Sequence, residues 1–266
     1  MIRDITLGQY YPADSVLHKM DPRTKLVGTL IFIISLFLFR SFPCYVLAAL
    51  FLASVIRISK VPFKFMAKGL KAVLILLLIT VAFNLFLTPG KEVFHIWKLK
   101  VTYEGILQAV FMAIRLSFLI IGSSVLTLTT TPNNLTDGLE KGLGFLKKVR
   151  VPVHEVAMMM SIALRFIPIL LEETDKIMKA QQARGADFES GGLIQRAKNL
   201  VPLLVPLFIS AFRRANDLAM AMEARGYRGG EGRTKMKPLI YRRRDYLGYG
   251  VLAAYLCGIC VIGIFL

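Results

Sequence analysis

Long apolar runs broken by short polar connections, with little two-residue alternation, organise this chain. Residues 26–39, 43–58, 70–88 and 105–131 are apolar, separated by "RSFP", by a basic stretch from Arg57 to Lys71, and by "TPGKEVFHIWKLK". A helix needs roughly twenty residues to cross a hydrocarbon core, so the first two runs must recruit flanking residues. Four membrane helices are expected before residue 132, and the uncharged run from Tyr246 to Leu266, after "YRRRD", predicts a fifth. Between them, residues 133–245 hold most of the charge yet keep apolar stretches. Thr131-Pro132 with Asn133 and Asn134 reads as a helix stop followed by a new N-cap, with Asp137 and Glu140 placed early, where the helix dipole favours them. Residues 153–171 are interrupted by Arg165 and Pro168 and run into Glu172, Glu173 and Asp175. Residues 200–212 would make only about 20 Å of helix, short of a ~30 Å core. The expectation here is two long helices lying along or obliquely under the membrane, apolar first and charged towards their ends. The pairs Glu172/Lys176, Asp175/Lys179 and Arg213/Asp217 stand four apart, as helical ion pairs do. The pattern therefore predicts an all-α integral membrane protein with about five transmembrane helices, in three regions: 1–132, 133–245 and 246–266.

Composition agrees: 55% of the 266 residues are hydrophobic, more than a soluble domain of that length requires. Lys and Arg number 34 against 17 acidic residues, a formal charge of +17. In a soluble protein that excess would suggest nucleic acid; here it reads as cytoplasmic segments facing an anionic leaflet, so no nucleic-acid partner is expected. Arg57, Lys60, Lys64, Lys68 and Lys71 crowd the second connection while the first offers Arg40, which places the N-terminus inside and, after five spans, the C-terminus outside. The third connection, with Lys91, Lys98 and Lys100 partly offset by Glu92 and Glu104, weakens that bias without reversing it. The start "MIRDITLGQYYPADS" predicts no cleaved targeting peptide. Cys44, Cys257 and Cys260 lie in apolar runs and read as small packing residues, with neither a disulfide framework nor a metal site implied. His18, His95 and His154 do not stand at catalytic or metal spacing from carboxylates. "TPGKE" lacks the first glycine and following helix of a phosphate-binding loop, so the chain is expected to be non-catalytic and to bind no cofactor. Arg115, deep in the fourth run, is expected to pair with another helix or a carbonyl.

The candidate site is a repeat. "AQQARGADF" and "AMEARGYRG" each place Ala-Arg-Gly at the end of a long helical pattern: Ala183-Arg184-Gly185 and Ala224-Arg225-Gly226. Gly185 and Gly226 suit the left-handed position after a helix, and Arg184 and Arg225 the negative end of the dipole. A cap alone would accept lysine or histidine. Arginine behind a small residue suits a planar, multi-donor contact with carboxylates in a groove, and two such tips imply a partner with approximate twofold symmetry. Met158, Met159 and Met160, with Met178, Met220 and Met222, read either as an adaptable partner surface or as ordinary apolar filler.

In order along the chain, "GQY" at 8–10, "LHKMDPRTKL" at 17–26, "TTTP" at 129–132, "RFIPILLEE" at 165–173, "AQQARGADF" at 180–188 and "RRANDLAMAMEARGY" at 213–227 resemble the T-component family (EcfT) of energy-coupling factor (ECF) transporters, the vitamin-importing branch of the ABC class. The resemblance covers nearly the whole chain. It implies that the two tips are coupling-helix ends docking on two ABC ATPase subunits (EcfA-type), with Arg184 and Arg225 as principal contacts and Ala183, Gly185, Ala224 and Gly226 shaping them. It also implies a membrane-embedded S-component that binds the transported compound, with ATP and Mg used by the ATPases, and residues 133–245 on the cytoplasmic side. A T-component dedicated to cobalt or nickel is an alternative within the family. Outside it stand a membrane enzyme acting on lipid headgroups and a self-sufficient channel or secondary transporter; the first lacks a carboxylate cluster with metal spacing, and the second would need polar residues facing one another within the spans or paired inverted repeats, where only Arg115 and a few Ser, Thr and Asn residues qualify.

Overall fold

The computed structural model describes residues 10–38, 41–89, 92–96, 99–188, 190, 192–230, 236 and 238–265. Among these, the helices are α1 (Pro22–Leu38), α2 (Phe42–Ser59), α3 (Phe63–Leu87), α4 (Tyr103–Thr129), α5 (Pro132–Gly142), α6 (Val153–Ala183), α7 (Leu193–Asn199), α8 (Val201–Ala224) and α9 (Arg243–Phe265), with a 3-10 turn at Gly144–Val149. The all-α expectation holds with one small addition. β1 (Glu92–Ile96) and β2 (Leu99–Thr102) pair antiparallel, with an irregularity between Glu92 and Phe94, where a plain connection was expected. The helix boundaries follow local chemistry. Thr131 Oγ1 accepts from the Asn134 N–H at 3.4 Å, and Pro132 occupies the first turn of α5, as the helix-start reading anticipated.

By length and composition, α2, α4, α6 and α9 can each cross a membrane, and α3 can do so as a span bent by 60° between Lys71 and Val73. α1, with 17 residues, is about 26 Å long, having drawn in Pro22–Lys25 ahead of its apolar run. One sequence reading changes. The basic stretch is not a loop: α3 begins at Phe63, so Lys64, Lys68 and Lys71 stand on its first three turns. α6 runs unbroken through Arg165 and Pro168 for 31 residues, so length and composition admit it as a span although its sequence pattern argued for an oblique helix.

The chain folds as two compact units. One comprises Gly8–Leu139 and Leu239–Leu266. Its core is built by Phe32 and Leu36 of α1, Tyr45, Ala48 and Leu52 of α2, Ile121 and Val125 of α4, and Tyr255 and Ile259 of α9. Gly122 lets α4 approach α1 closely: a Cβ there would stand 2.8 Å from Phe32 Cε1. Polar groups inside this bundle find partners on other helices. Ser35 and Tyr255 hydroxyls are 2.8 Å apart, and Arg115 donates to Tyr45 Oη from Nε at 2.9 Å and Nη2 at 2.7 Å, which meets the expectation of an interhelical partner. Cys44 is buried, whereas Cys257 and Cys260 are exposed on α9 and do not serve as packing residues in this chain.

A polar knot ties the helix ends of this unit. Asp21 caps α1 by accepting from the Arg23 N–H at 2.9 Å, and its own N–H donates to Asp245 Oδ1 at 2.7 Å. Asp245 also accepts from the Arg242 N–H at 2.8 Å, capping the start of α9. Lys25 Nζ donates to Thr129 O at 2.9 Å and Thr130 Oγ1 at 3.2 Å at the end of α4. Arg23 pairs with Asp21 and lies over the Tyr241 ring at 3.9 Å. "DPRTK", "TTTP" and "YRRRD" are thus one structural feature: polar groups at the ends of three helices bonded to one another.

The second unit, Glu140–Pro238, contains α6, α7 and α8, with α6 packed on α8. It has few fully buried side chains, Val153, Ala157 and Leu203 among them. α8 exposes Val201, Leu204, Val205, Phe208, Ile209 and Phe212, which fall in two rows four residues apart along its first half. The apolar-then-charged reading of both helices holds.

Candidate functional site

α6 and α8 end in the same hydrogen-bonded cap. After α6, the Ala186 N–H reaches back to Gln181 O at 2.9 Å and the Gly185 N–H to Gln182 O at 2.9 Å. After α8, the Tyr227 N–H reaches Met222 O at 3.0 Å and the Gly226 N–H reaches Glu223 O at 2.8 Å. These are the two bonds of a Schellman motif, and it requires a left-handed residue just beyond the cap. Gly185 has φ +91° and Gly226 φ +71°, with open space around the site of any added Cβ. The glycines are therefore required by backbone torsion, since nothing crowds them. Arg184 and Arg225 are the cap residues themselves, with φ/ψ of −88°/4° and −87°/5°. Both are exposed, and neither guanidinium makes a hydrogen bond or ion pair among the described residues. Ala183 and Ala224, the last helical residues, are exposed as well, leaving each arginine approachable. Two nearly superimposable backbone caps thus present five N–H donors apiece, free for a planar anionic partner.

Behind the tips, one carboxylate joins the two helices. Glu173 Oε2 accepts from Arg214 Nε at 3.1 Å and Nη2 at 2.9 Å, while Glu173 Oε1 accepts from the Ser210 hydroxyl. Ser210 and Arg214 are one turn apart on α8, so a single side chain of α6 grips two successive turns of α8. Glu173 precedes Arg184, and Arg214 precedes Arg225, by the same eleven positions. The within-helix pairs expected from spacing, Glu172/Lys176, Asp175/Lys179 and Arg213/Asp217, do not reach ion-pair distance; the pair that forms links the helices instead. Four-residue spacing made those pairs legible, but nothing in a single sequence marks a partner forty-one residues away.

The other candidates scatter. Met159 and Met160 are exposed and Met158 is partly buried, and as consecutive helical residues they face three directions. His154 does meet a carboxylate, against expectation: Nδ1 lies 2.7 Å from Glu140 Oε1, brought there by the turn between α5 and α6. His18 bonds the Ser15 hydroxyl at 2.7 Å and Tyr11 O at 2.9 Å, a local structural role. His95 lies in β1, and its side chain is outside the described residues. Among the described residues no three His, Cys, Asp or Glu side chains group as a metal site would need.

The fold defines the class: a multi-pass helical membrane protein in which two long helices end in the same arginine-bearing cap. The comparisons narrow that class. The family model described as CbiQ, Cobalt transport protein, matches residues 13–236, and the chain belongs to this family. It is 58% identical over 265 residues to the energy-coupling factor transporter transmembrane protein EcfT of Clostridium kluyveri, covering 98% of this chain and 96% of that protein. The proteins of the same name from Thermosediminibacter oceani and Bacillus subtilis are 54% and 50% identical, over 95% and 92% of this chain and 96% and 93% of theirs. The chain is accordingly a transmembrane component of the energy-coupling factor type.

Proposed function

We propose that this chain is the coupling subunit of an importer, transmitting ATP-driven motion from two ABC ATPase subunits to a separate S-component that carries a vitamin or similar micronutrient. One observation carries the reading: two helices of one unit end in the same Schellman cap, each leaving an exposed arginine without a hydrogen bond or ion pair among the described residues. Each guanidinium enters a groove on one ATPase, where a carboxylate accepts it bidentately. ATP and Mg belong to those subunits; this chain does no chemistry. When the ATPases close, the tips move relative to each other and α6 and α8 carry the motion to the S-component. The apolar faces of α8 and of α6 around Met158, Met159 and Met160 supply its seat, where methionine repacks easily between different S-components. The excess of Lys and Arg supports an N-terminus and residues 133–245 on the cytoplasmic side, with α6 lying obliquely there and the C-terminus outside. A second cargo reading, a cobalt- or nickel-dedicated system, draws support for cobalt from the description of the matching family.

The test replaces Arg184 and Arg225 together by alanine in the full chain and measures ATPase co-purification and uptake. Losing a charged hydrogen-bonding partner from a desolvated interface costs about 2–5 kcal/mol per site, so the double variant loses the complex while a single one retains part of it. Undiminished co-purification and transport in a double variant of normal helicity would overturn the assignment. Comparing vitamin and cobalt uptake in the same cells separates the two cargo readings.

A further inference from the structure

A cavity of 290 Å³ opens inside the first unit, walled almost wholly by apolar groups, Phe32, Leu126 and Leu252 among them. Its position follows from the helix directions. It is lined by the first turns of α1 and α9 and by the last turns of α2 and α4, so it lies at one end of the bundle. From Lys25 to Phe32 on α1, and from Gly122 to Thr129 on α4, it extends over roughly 11 Å of helix, which fits within one ~15 Å leaflet of the hydrocarbon core.

The polar end of the cavity is short of acceptors. Lys25 has three N–H donors and gives two of them, both to neutral oxygens, at Thr129 and Thr130. Thr24, only 2% exposed, has a hydroxyl with no hydrogen-bond partner. Arg244 makes no hydrogen bond or ion pair among the described residues, and no carboxylate lines the cavity. Asp21 and Asp245 attract Lys25 from a distance, but Asp21 is bonded to the Arg23 guanidinium and Asp245 to the backbone N–H groups of Asp21 and Arg242. Two cations and an unsatisfied hydroxyl at the mouth of an apolar slot one leaflet deep ask for an acceptor-rich anion joined to a hydrocarbon tail.

We propose that this cavity binds an anionic phospholipid of the surrounding bilayer, one acyl chain filling the slot and the phosphate accepting from Lys25, Thr24 and Arg244. Bound there, the lipid bridges α1, α4 and α9 and completes the knot that closes this end of the bundle. The site is independent of the Ala-Arg-Gly tips and of any ATPase.

The experiment is native mass spectrometry of the full chain in detergent with equimolar dioleoyl-phosphatidylglycerol and dioleoyl-phosphatidylcholine. One phosphatidylglycerol adduct is expected to persist in preference to phosphatidylcholine. Arg244→Gln, which leaves the Lys25 hydrogen bonds intact, and Lys25→Gln should each lower its retention, roughly tenfold for the buried Lys25. Leu126→Trp, which fills the slot and keeps every charge, should lower it too, while Lys64→Gln on exposed α3 should not. Equal retention of the two lipids, or undiminished phosphatidylglycerol in both Arg244→Gln and Leu126→Trp, overturns the proposal. So does loss of a protein partner, with lipid retention unchanged, on filling the slot.

Discussion

Removing the Glu173 carboxylate isolates the clamp between α6 and α8. Glu173→Ala deletes three hydrogen bonds at once, two from Arg214 and one from Ser210. The Arg214 and Glu173 side chains are 40% and 21% exposed, which puts their pairing between two known regimes. A fully exposed ion pair contributes about 0–1 kcal/mol, and a hydrogen bond to a charged group about 1.5–3 kcal/mol. The geometry is bidentate but partly screened, so about 1–2 kcal/mol is the expected coupling, a change of roughly 5–30-fold in the balance between clamped and separated helices. The clamp stands eleven residues, about 16 Å, from each tip, so its release should appear as a broader spread of tip separations. Spin labels at positions 182 and 223, in a background where Cys44, Cys257 and Cys260 are replaced, read that spread directly as a distance distribution. The charge swap Glu173→Arg with Arg214→Glu should narrow it again relative to either single variant. An unchanged distribution in Glu173→Ala, or a swap no better than the singles, would show that packing alone holds the helices and that the carboxylate adds nothing.

The other expectations concern backbone torsion and an intramembrane cation. Gly185→Ala and Gly226→Ala meet no neighbouring atom, so each should cost about 1–2 kcal/mol from the left-handed torsion alone, seen as faster hydrogen exchange at the Ala186 and Tyr227 amides; unaltered exchange would refute the cap assignment. Tyr45→Phe leaves Arg115 without its acceptor and should destabilise by about 1–3 kcal/mol in thermal inactivation. Adding Arg115→Met to it should recover most of that loss, because an apolar pair of similar shape leaves nothing unsatisfied; no recovery would mean that Arg115 acts elsewhere.

Much of the architecture was legible because membranes make simple demands. Apolar run length located α1, α2, α4 and α9 to within a few residues, while α3 begins seven residues before its run; the Ala-Arg-Gly repeats with their left-handed glycines followed from helix-end chemistry, which is local. The sequence by itself therefore determined most of the apolar helices and both Ala-Arg-Gly caps. What it could not set were relations between distant positions. Lys64, Lys68 and Lys71 read as a loop until α3 was seen to absorb them. Glu172, Asp175 and Arg213 looked paired at four-residue spacing, yet Glu173 formed the ion pair, because packing of α6 on α8 decided which carboxylate faced which arginine. "DPRTK", "TTTP" and "YRRRD" were separate strings until the helix ends met, and the cavity beside them has no sequence signature at all. Local chemistry fixes what each segment becomes; only side chains brought together across the fold decide which charges are satisfied and which are left for a ligand or partner.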